Sequence, residues 1–361
     1  MAPLIQQEAD INRTPHRAAP LIAHINLARG YRGGERQTEL LIRELASQGI
    51  RQRLVARQGE PLIVRLADVG GLERFAVGGI VSATRALRGV SLSHAHEGRC
   101  VQAAALAGRI YRIPYVITRR VTRPLGERRI TRAMYRNAAA CVGLSSAIAK
   151  QLDSYMPDSK AHIIPSAFTP FRVNNDTVKA LTRQFGTGPI VGHVGALVVR
   201  HKGQTVLIET ARVRPGVQFV FVGSGQDEQR LKALAEGLDN VHFMGQVEDV
   251  ASHLAAFDVF AFPSLFEGLG SILLDAMYLS LPIVASDVDG IPDIIKHEDN
   301  GLLVPPGDPQ AMTEALDRIL GDQALQQRFA LRNRSVIDNF SATAMAQRYH
   351  ELYRSLLGTE L

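Results

Sequence analysis

Tryptophan is absent from the 361 residues, and cysteine occurs only at Cys100 and Cys141. Two such thiols give neither a disulfide framework nor a metal-ligand spacing, and read as small buried hydrophobes. No stretch reaches the roughly 18 uncharged apolar residues of a membrane-crossing helix. The opening "MAPLIQQEADINRTPHRAAP" lacks the continuous apolar core of a secretory leader. Aromatic residues make up only 6% of the chain, and no nucleic-acid-binding module is recognisable. The expectation is a soluble protein of a reducing cytoplasm, with residues 1–18 as a mobile tail.

Acidic charge is scarce in the first half. Residues 1–170 carry 25 Lys and Arg against 12 Asp and Glu, whereas the remainder carries 16 against 23. A basic half suits an anionic substrate, a nucleic acid or a membrane surface, or is simply a solvated face.

What is present in quantity is the short apolar run followed by an amphipathic stretch. "LIAHINL" precedes "GERQTELLIRELASQG", "SLSHAH" precedes "CVQAAALAGRIY", and "ACVGLS" precedes "SAIAKQL". A second series begins near Gly188 with "PIVGHVG" and continues through "VQFVFVG", "DVFAFPS" and "LPIVAS". This rhythm predicts an α/β protein of two doubly wound Rossmann-like domains, each on a parallel sheet, facing a central cleft. The boundaries read as 19–170 for the first domain, 171–188 for a linker and 189–340 for the second. Residues 341–361 read as a helix packing back on the first domain, with Ser341 as its cap. Ligands of such sheets bind at the carboxyl ends of strands, so the loops there are the candidates for function.

Four of those loops carry chemistry. Gly33 and Gly34 precede a helix whose free N–H groups could meet a phosphate, although a plain strand-to-helix turn reads equally well. In "SHAHEGR", His94 and His96 point the same way along a strand; His96 is nearer the mouth and can bond a ligand hydroxyl while neutral. No metal is assigned to the pair. In "GALVVRHKGQTVLIETA", Arg200, His201 and Lys202 gather before Gly203 and a helix, where an anion between them would relieve their conflict with the helix dipole. In "SLFEGLGSILLDAM", Gly268 and Gly270 leave the N–H groups of Leu269, Gly270 and Ser271 at a helix start, which makes an anion seat. Glu267 precedes that seat. Asp275 lies eight residues on, roughly 12 Å away along a helix, too far for an acid/base pair but suited to a ligand with hydroxyls at both ends and phosphate between.

The chain resembles the family-4 retaining glycosyltransferases of the GT-B fold, over nearly its whole length. The specific part is "FVGSGQDEQRLKALAEGLDNVHFMGQVEDVASHLAAFDVFAFPSLFEGLGSILLDAMYLSLPIVASDVDGIPDIIKHEDNGLLVPPGDPQAM", with "GYRGGER", "HAHEGR", "LSSAIAKQL" and "IIPSAF" in the first half. The resemblance implies that Glu267 is the first acid of a Glu-x7-Glu motif and faces the transferred sugar. It implies Lys202 on the diphosphate and His96 at the sugar near its reacting end. Gly33, Gly34, Arg200, Val247, Gly268, Leu269, Gly270, Ser271 and Asp275 complete the donor contacts. The sequence departs from the pattern at Asp275, which stands for the second Glu, at Ala196 after Gly195, where Arg is usual, and at Ser166 and Ala167, where Asn-Gly is common.

What the resemblance implies is transfer of a sugar from a nucleoside diphosphate, with UDP as the expected carrier, retaining anomeric configuration without metal or cofactor. The acceptor has to account for nine arginines and one acid, Glu127, between residues 109 and 136. If 126–138 is helical, Arg128, Arg132 and Arg136 share a face where like charges repel unless an anion lies against them. With Arg119 and Arg120 they point to an anionic glycolipid or saccharide acceptor, such as lipopolysaccharide core, met on the inner face of the cell membrane. The alternatives are a nucleotide-sugar epimerase of the same fold, a nucleic-acid-binding protein, or a non-catalytic partner subunit.

Overall fold

The structure is a computed structural model describing residues 19–126, 128–156, 161–186 and 188–358. The expected tail over 1–18 and Glu127 lie outside the described residues. Strands β1 (Leu21–Asn26), β2 (Arg51–Arg57), β3 (Glu73–Val77), β4 (Leu92–Ala95), β5 (Tyr115–Arg119), β6 (Ala140–Gly143) and β7 (Ala161–Ile163) form one sheet. Strands β8 (Ile190–Val194), β9 (Gln218–Val222), β10 (Val241–Gly245), β11 (Val259–Phe262), β12 (Ile283–Ser286) and β13 (Leu302–Val304) form a second. The orders are β3-β2-β1-β4-β5-β6-β7 and β10-β9-β8-β11-β12-β13.

Every pairing in both sheets is parallel. Each sheet therefore starts near its middle, winds outward in one direction, returns and winds outward in the other. The reversal leaves a switch point between β1 and β4, and another between β8 and β11. The sequence reading of two doubly wound α/β domains is what the structure shows. Runs such as "LIAHIN", "VFAF" and "IVAS" are buried at every residue, as strands covered by helices on both faces must be.

The segment between the domains carries a helix, Asn175–Phe185, capped by the Asn174 side chain accepting from the N–H groups of Asp176 and Thr177. It buries Leu181 and Phe185. The final helix, Ala342–Leu357, starts where Ser341 Oγ accepts from Ala344 N–H at 3.1 Å. It crosses back to the first domain and lays Met345, Ala346, Tyr349, Leu352 and Tyr353 on Ile22, Leu92, Val116 and Val142. Two hydroxyls of this helix enter the first sheet's polar interior. Tyr353 OH lies 2.6 Å from His94 Nδ1, and Tyr349 OH lies 2.8 Å from Thr118 Oγ1.

The domains approach closely beside Gly268 and Gly290. A Cβ added at Gly268 would lie 2.6 Å from the carbonyl oxygen of Arg120, and one added at Gly290 would lie 2.8 Å from Ser145 Cβ. Only a residue without a side chain permits such approach. Beside it, Ser146 Oγ donates to Asp293 Oδ1 at 2.8 Å across the joint.

Replacing Tyr353 by Phe keeps the ring and strands His94 Nδ1 in a buried setting. We expect a loss of about 1–2 kcal/mol, read as a lower midpoint in urea unfolding. An unchanged midpoint would show that the bond contributes nothing net.

Candidate functional site

The loops leaving β8 and β11 are docked on each other by backbone contacts. The carbonyl of His201 accepts from Leu265 N–H at 2.8 Å and from Phe266 N–H at 3.2 Å. Gly203 has φ +60°, and a Cβ there would meet the Pro263 carbonyl oxygen at 2.2 Å. The "HKG" spelling is therefore a packing requirement as well as a source of charge. It brings Lys202 Nζ onto the Glu267 carboxylate as an ion pair, with Nζ also 5.1 Å from the centre of the Phe262 ring.

The dipole conflict expected of these cations is not found. Arg200, His201 and Lys202 lie at the C-terminal end of a single turn, Val199–Lys202, whose head is met by Asp227 Oδ2 accepting from Val199 N–H at 2.8 Å. The next helix, Thr205–Val213, starts beyond Gly203. Cations at the C-terminal side of a turn are favourable, and the anion beside Lys202 is Glu267 itself.

Glu267 is held at its backbone as well. Its N–H donates to Asp289 Oδ2 at 3.0 Å, and its carbonyl accepts from Gly290 N–H at 3.2 Å. Asp289 has φ +49°, a conformation unusual for a residue with a side chain. Asp287-Val288-Asp289 does spell Asp-x-Asp, and the Asp289 carboxylate is used in fixing the Glu267 loop. Gly270, at φ +80°, caps the helix Ser271–Tyr278. The turn that carries Glu267 thus runs directly into a helix start whose first N–H groups have no intrahelical acceptor.

Between the domains, this turn faces the end of β5. A cleft of about 760 Å³ is lined by Arg120, Arg123, Arg200, His201, Glu267 and Asp289, among others. Arg120 stretches under the first domain's helix start, its Cδ 3.6 Å from the Cβ position of Gly34, and burial lowers its pKa. Gly33 and Gly34 are the first two residues of the helix Gly33–Ser47 rather than a turn ahead of it. Arg36, one turn further on, acts on Asp275 across the interface as an opposite charge. Burial raises the Asp275 carboxyl to about 6, with Arg36 opposing. Val247 is half-buried in the loop after β10.

His96 is 2% exposed and His94 is fully buried. Burial holds both well below the usual histidine range, so both rings are neutral near pH 7. The fold adds a third ring that spacing alone did not reveal: His24, on β1, has Nδ1 3.0 Å from His96 Nε2. Burial lowers His24 to about 4. One nitrogen from each of these rings falls within 4.8 Å of the others, a spacing open to a metal ion. Both nitrogens of His94 are engaged, with Tyr353 OH and with Thr118 Oγ1 at 2.7 Å, which favours a hydrogen-bonded network. His96 Nδ1 has no partner among the described residues.

The arginine cluster divides. The helix runs over Arg129–Arg136 rather than 126–138, with Arg128, Arg132 and Arg136 exposed on its outside and Arg119 and Arg120 half-buried. Arg119 donates to the Arg123 carbonyl, and Arg132 lies over the Tyr155 ring at 5.7 Å. The structure therefore brings Glu267, Lys202, Arg200, Gly268 and Arg120 together, places His96 and Asp275 deeper in the interface, and leaves the exposed arginines on a separate surface. Ala196, in place of the usual Arg, offers the cleft no charge; its carbonyl accepts from Gln204 Nε2 at 2.8 Å.

Two family models match the chain: Glycosyltransferase Family 4 over residues 31–170 and Glycosyl transferases group 1 over residues 188–322. The lipopolysaccharide core biosynthesis glycosyltransferase LpsE of Rhizobium meliloti (strain 1021) is 33% identical over 171 residues, 46% of this chain and 50% of that protein. A phosphatidyl-myo-inositol mannosyltransferase of Mycobacterium leprae (strain TN) is 29% identical over 201 residues, 52% of this chain and 53% of that protein. The chain spans about half the length of these curated relatives. Among solved structures, Anabaena Alr3699/HepE in complex with UDP and glucose superposes with a TM-score of 0.79 at 20% identity, over 92% of this chain and 99% of that one. At that identity the likeness speaks for the fold.

The Asp275 carboxyl gives a pH signature. Its folded value, about 6, lies above the unfolded value of 3.8, so the folded chain holds the extra proton between these limits. Stability from this group is full below about pH 4 and falls as pH rises to 6, by roughly 3 kcal/mol. Urea unfolding of the wild type and Asp275→Asn over pH 4–7 should show that slope in the wild type alone. Parallel curves would remove the burial argument.

Proposed function

Because the chain belongs to the family-4, group 1 glycosyltransferases of the GT-B fold, we propose that it transfers a sugar from a nucleoside-diphosphate sugar to an acceptor hydroxyl. The observation that carries this is the Lys202–Glu267 pair, whose Glu267 lines, with Gly268 ahead of a helix start, a cleft that also holds Arg120, Arg123 and Arg200. A diphosphate in that hollow meets the amine, the guanidinium groups and the helix-start N–H groups, all fixed before the reaction. In our reading, Lys202 and Arg200 carry most of this charge, since position 196 contributes none.

The reaction breaks the bond between the anomeric carbon and the leaving phosphate oxygen, and forms one from that carbon to the acceptor oxygen. The acceptor's proton passes to the leaving phosphate oxygen on the same face, so configuration is retained and no protein base is named. Glu267 lies against the transferred sugar and stabilises its cationic character. His96, neutral and with Nδ1 unpaired, bonds a sugar hydroxyl, and Asp275 bonds the ribose. We assign the diphosphate's neutralisation to these cations rather than to a metal, so EDTA should leave the rate unchanged. UDP is the carrier we favour, since UDP and glucose occupy the similarly folded Anabaena protein.

The acceptor we infer is an anionic glycolipid or saccharide precursor of the cell envelope, met by a protein resting on the cytoplasmic face of the membrane. The exposed Arg128, Arg132 and Arg136 support that surface, and the LpsE and mannosyltransferase relatives support the acceptor class by their names. No helix among the described residues is long and apolar enough to cross a membrane.

Glu267→Gln separates the roles. Turnover should fall at least about 100-fold, the scale of a lost electrostatic contact in a transition state, while donor affinity in a UDP-sugar titration stays the same or tightens as Lys202 is released. Near-normal turnover would overturn the role given to Glu267. For the membrane, cosedimentation should be strong with phosphatidylglycerol vesicles at low salt and weak at high salt or with phosphatidylcholine alone. Indifference to lipid and to salt would remove that surface.

A further inference from the structure

A groove of about 1010 Å³ opens on the first domain, between the helix Cys100–Tyr111 and the helix Arg129–Arg136. Among the described residues it shares no lining residue with the cleft. Leu106, Ile113, Tyr115 and Met134 are among its apolar walls, and no Asp or Glu among the described residues lines it. Three arginines do: Arg109 and Arg112 at one helix end, and Arg128 at the start of the other helix. None of the three has an acidic partner among the described residues.

Two further observations bear on what the groove takes. Leu106, Ile110 and Ile130 are 39%, 56% and 69% exposed, so the surface around it is aliphatic and basic together, the pattern of a face that lies in a lipid interface. Arg112 closes its helix in the left-handed conformation, at φ 57° and ψ 34°. That position is one glycine fills without strain and an arginine does not, and the Arg112 guanidinium makes no hydrogen bond or ion pair among the described residues.

We propose that this groove is a lipid site. One acyl chain of an anionic membrane phospholipid lies between the two helices, and the lipid's phosphate sits on Arg109, Arg112 and Arg128. The inference rests on the membrane reading above and deepens it: the arginines bind one lipid stoichiometrically, as an anchor separate from the acceptor in the cleft. The volume, at the upper end of small-molecule sites, suits a single chain rather than a protein segment. Charge complementarity selects the anionic headgroup.

Binding of monomeric lysophosphatidylglycerol, below its micelle concentration, tests this on the full chain. We expect one lipid per chain and weaker binding of lysophosphatidylcholine. Arg112→Gly should weaken binding about fivefold, the worth of one cation near an anionic headgroup, while leaving the thermal midpoint equal or higher because strain is relieved. Leu106→Gln should weaken it by a similar factor through the wall. Arg136→Gln, outside the groove, should leave lysolipid binding intact and reduce cosedimentation with phosphatidylglycerol vesicles. Cosedimentation of the wild type without saturable lysolipid binding would overturn the groove and spare the membrane reading. Failure of both would overturn both. Wild-type lysolipid affinity in Arg112→Gly and Leu106→Gln, or equal binding of the two lysolipids, would overturn the groove.

Discussion

Two loops from neighbouring strands of one sheet approach closely enough that Gly203 has room for no side chain, and the rest of the site is arranged around that contact. The docked backbones bring a lysine and a glutamate from positions 65 residues apart into one ion pair. A pair this shielded gains more from its Coulomb attraction than a surface pair would, yet each ion has also given up part of its hydration. In the function proposed above, a diphosphate enters this balanced arrangement by taking over the lysine. The cost of assembling the cations is met during folding, which is how a preorganised site lowers a barrier.

The first domain serves this contact from the other side. Arg120 follows β5 and reaches both the cleft and the helix start at Gly34, while its carbonyl is the surface against which Gly268 packs. Behind it lies a neutral histidine cluster roofed by a helix from the far end of the chain, through Tyr349 and Tyr353. In a low-dielectric interior such a network is stable only when nearly every polar atom is paired. Two ring nitrogens of the cluster, His24 Nε2 and His96 Nδ1, are buried without a hydrogen-bond partner among the described residues, and each has a lone pair or a proton to offer a ligand.

Much of this was legible in the chain. Alternating apolar and amphipathic runs specify parallel sheets because strands covered on both faces must be apolar throughout, as "LIAHIN" and "VFAF" are. Glycines beside strand ends marked the close approaches, and the spelling around Glu267 marked its loop. Less is legible where charge is judged along the chain alone. By spacing, Arg200, His201 and Lys202 crowd a helix head, yet an intervening left-handed Gly203 ends one turn before the next helix begins. By spacing, the nine arginines form one cluster, although burial turns Arg119 and Arg120 inward and leaves Arg128, Arg132 and Arg136 outside. His24 gave no signal, since a lone histidine in an apolar strand looks like any core residue.

The sequence by itself determined the elements, their layering and which loops would gather at the strand ends, since these follow from local periodicity and from the direction of parallel strands. Only the tertiary structure decided which charges meet. Ion pairs such as Lys202 with Glu267, the influence of the Arg36 charge on Asp275 across the domains, and the junction of His24 with His96 all join residues distant along the chain. Their energies depend on separation and burial, which no spacing encodes until the two sheets have packed.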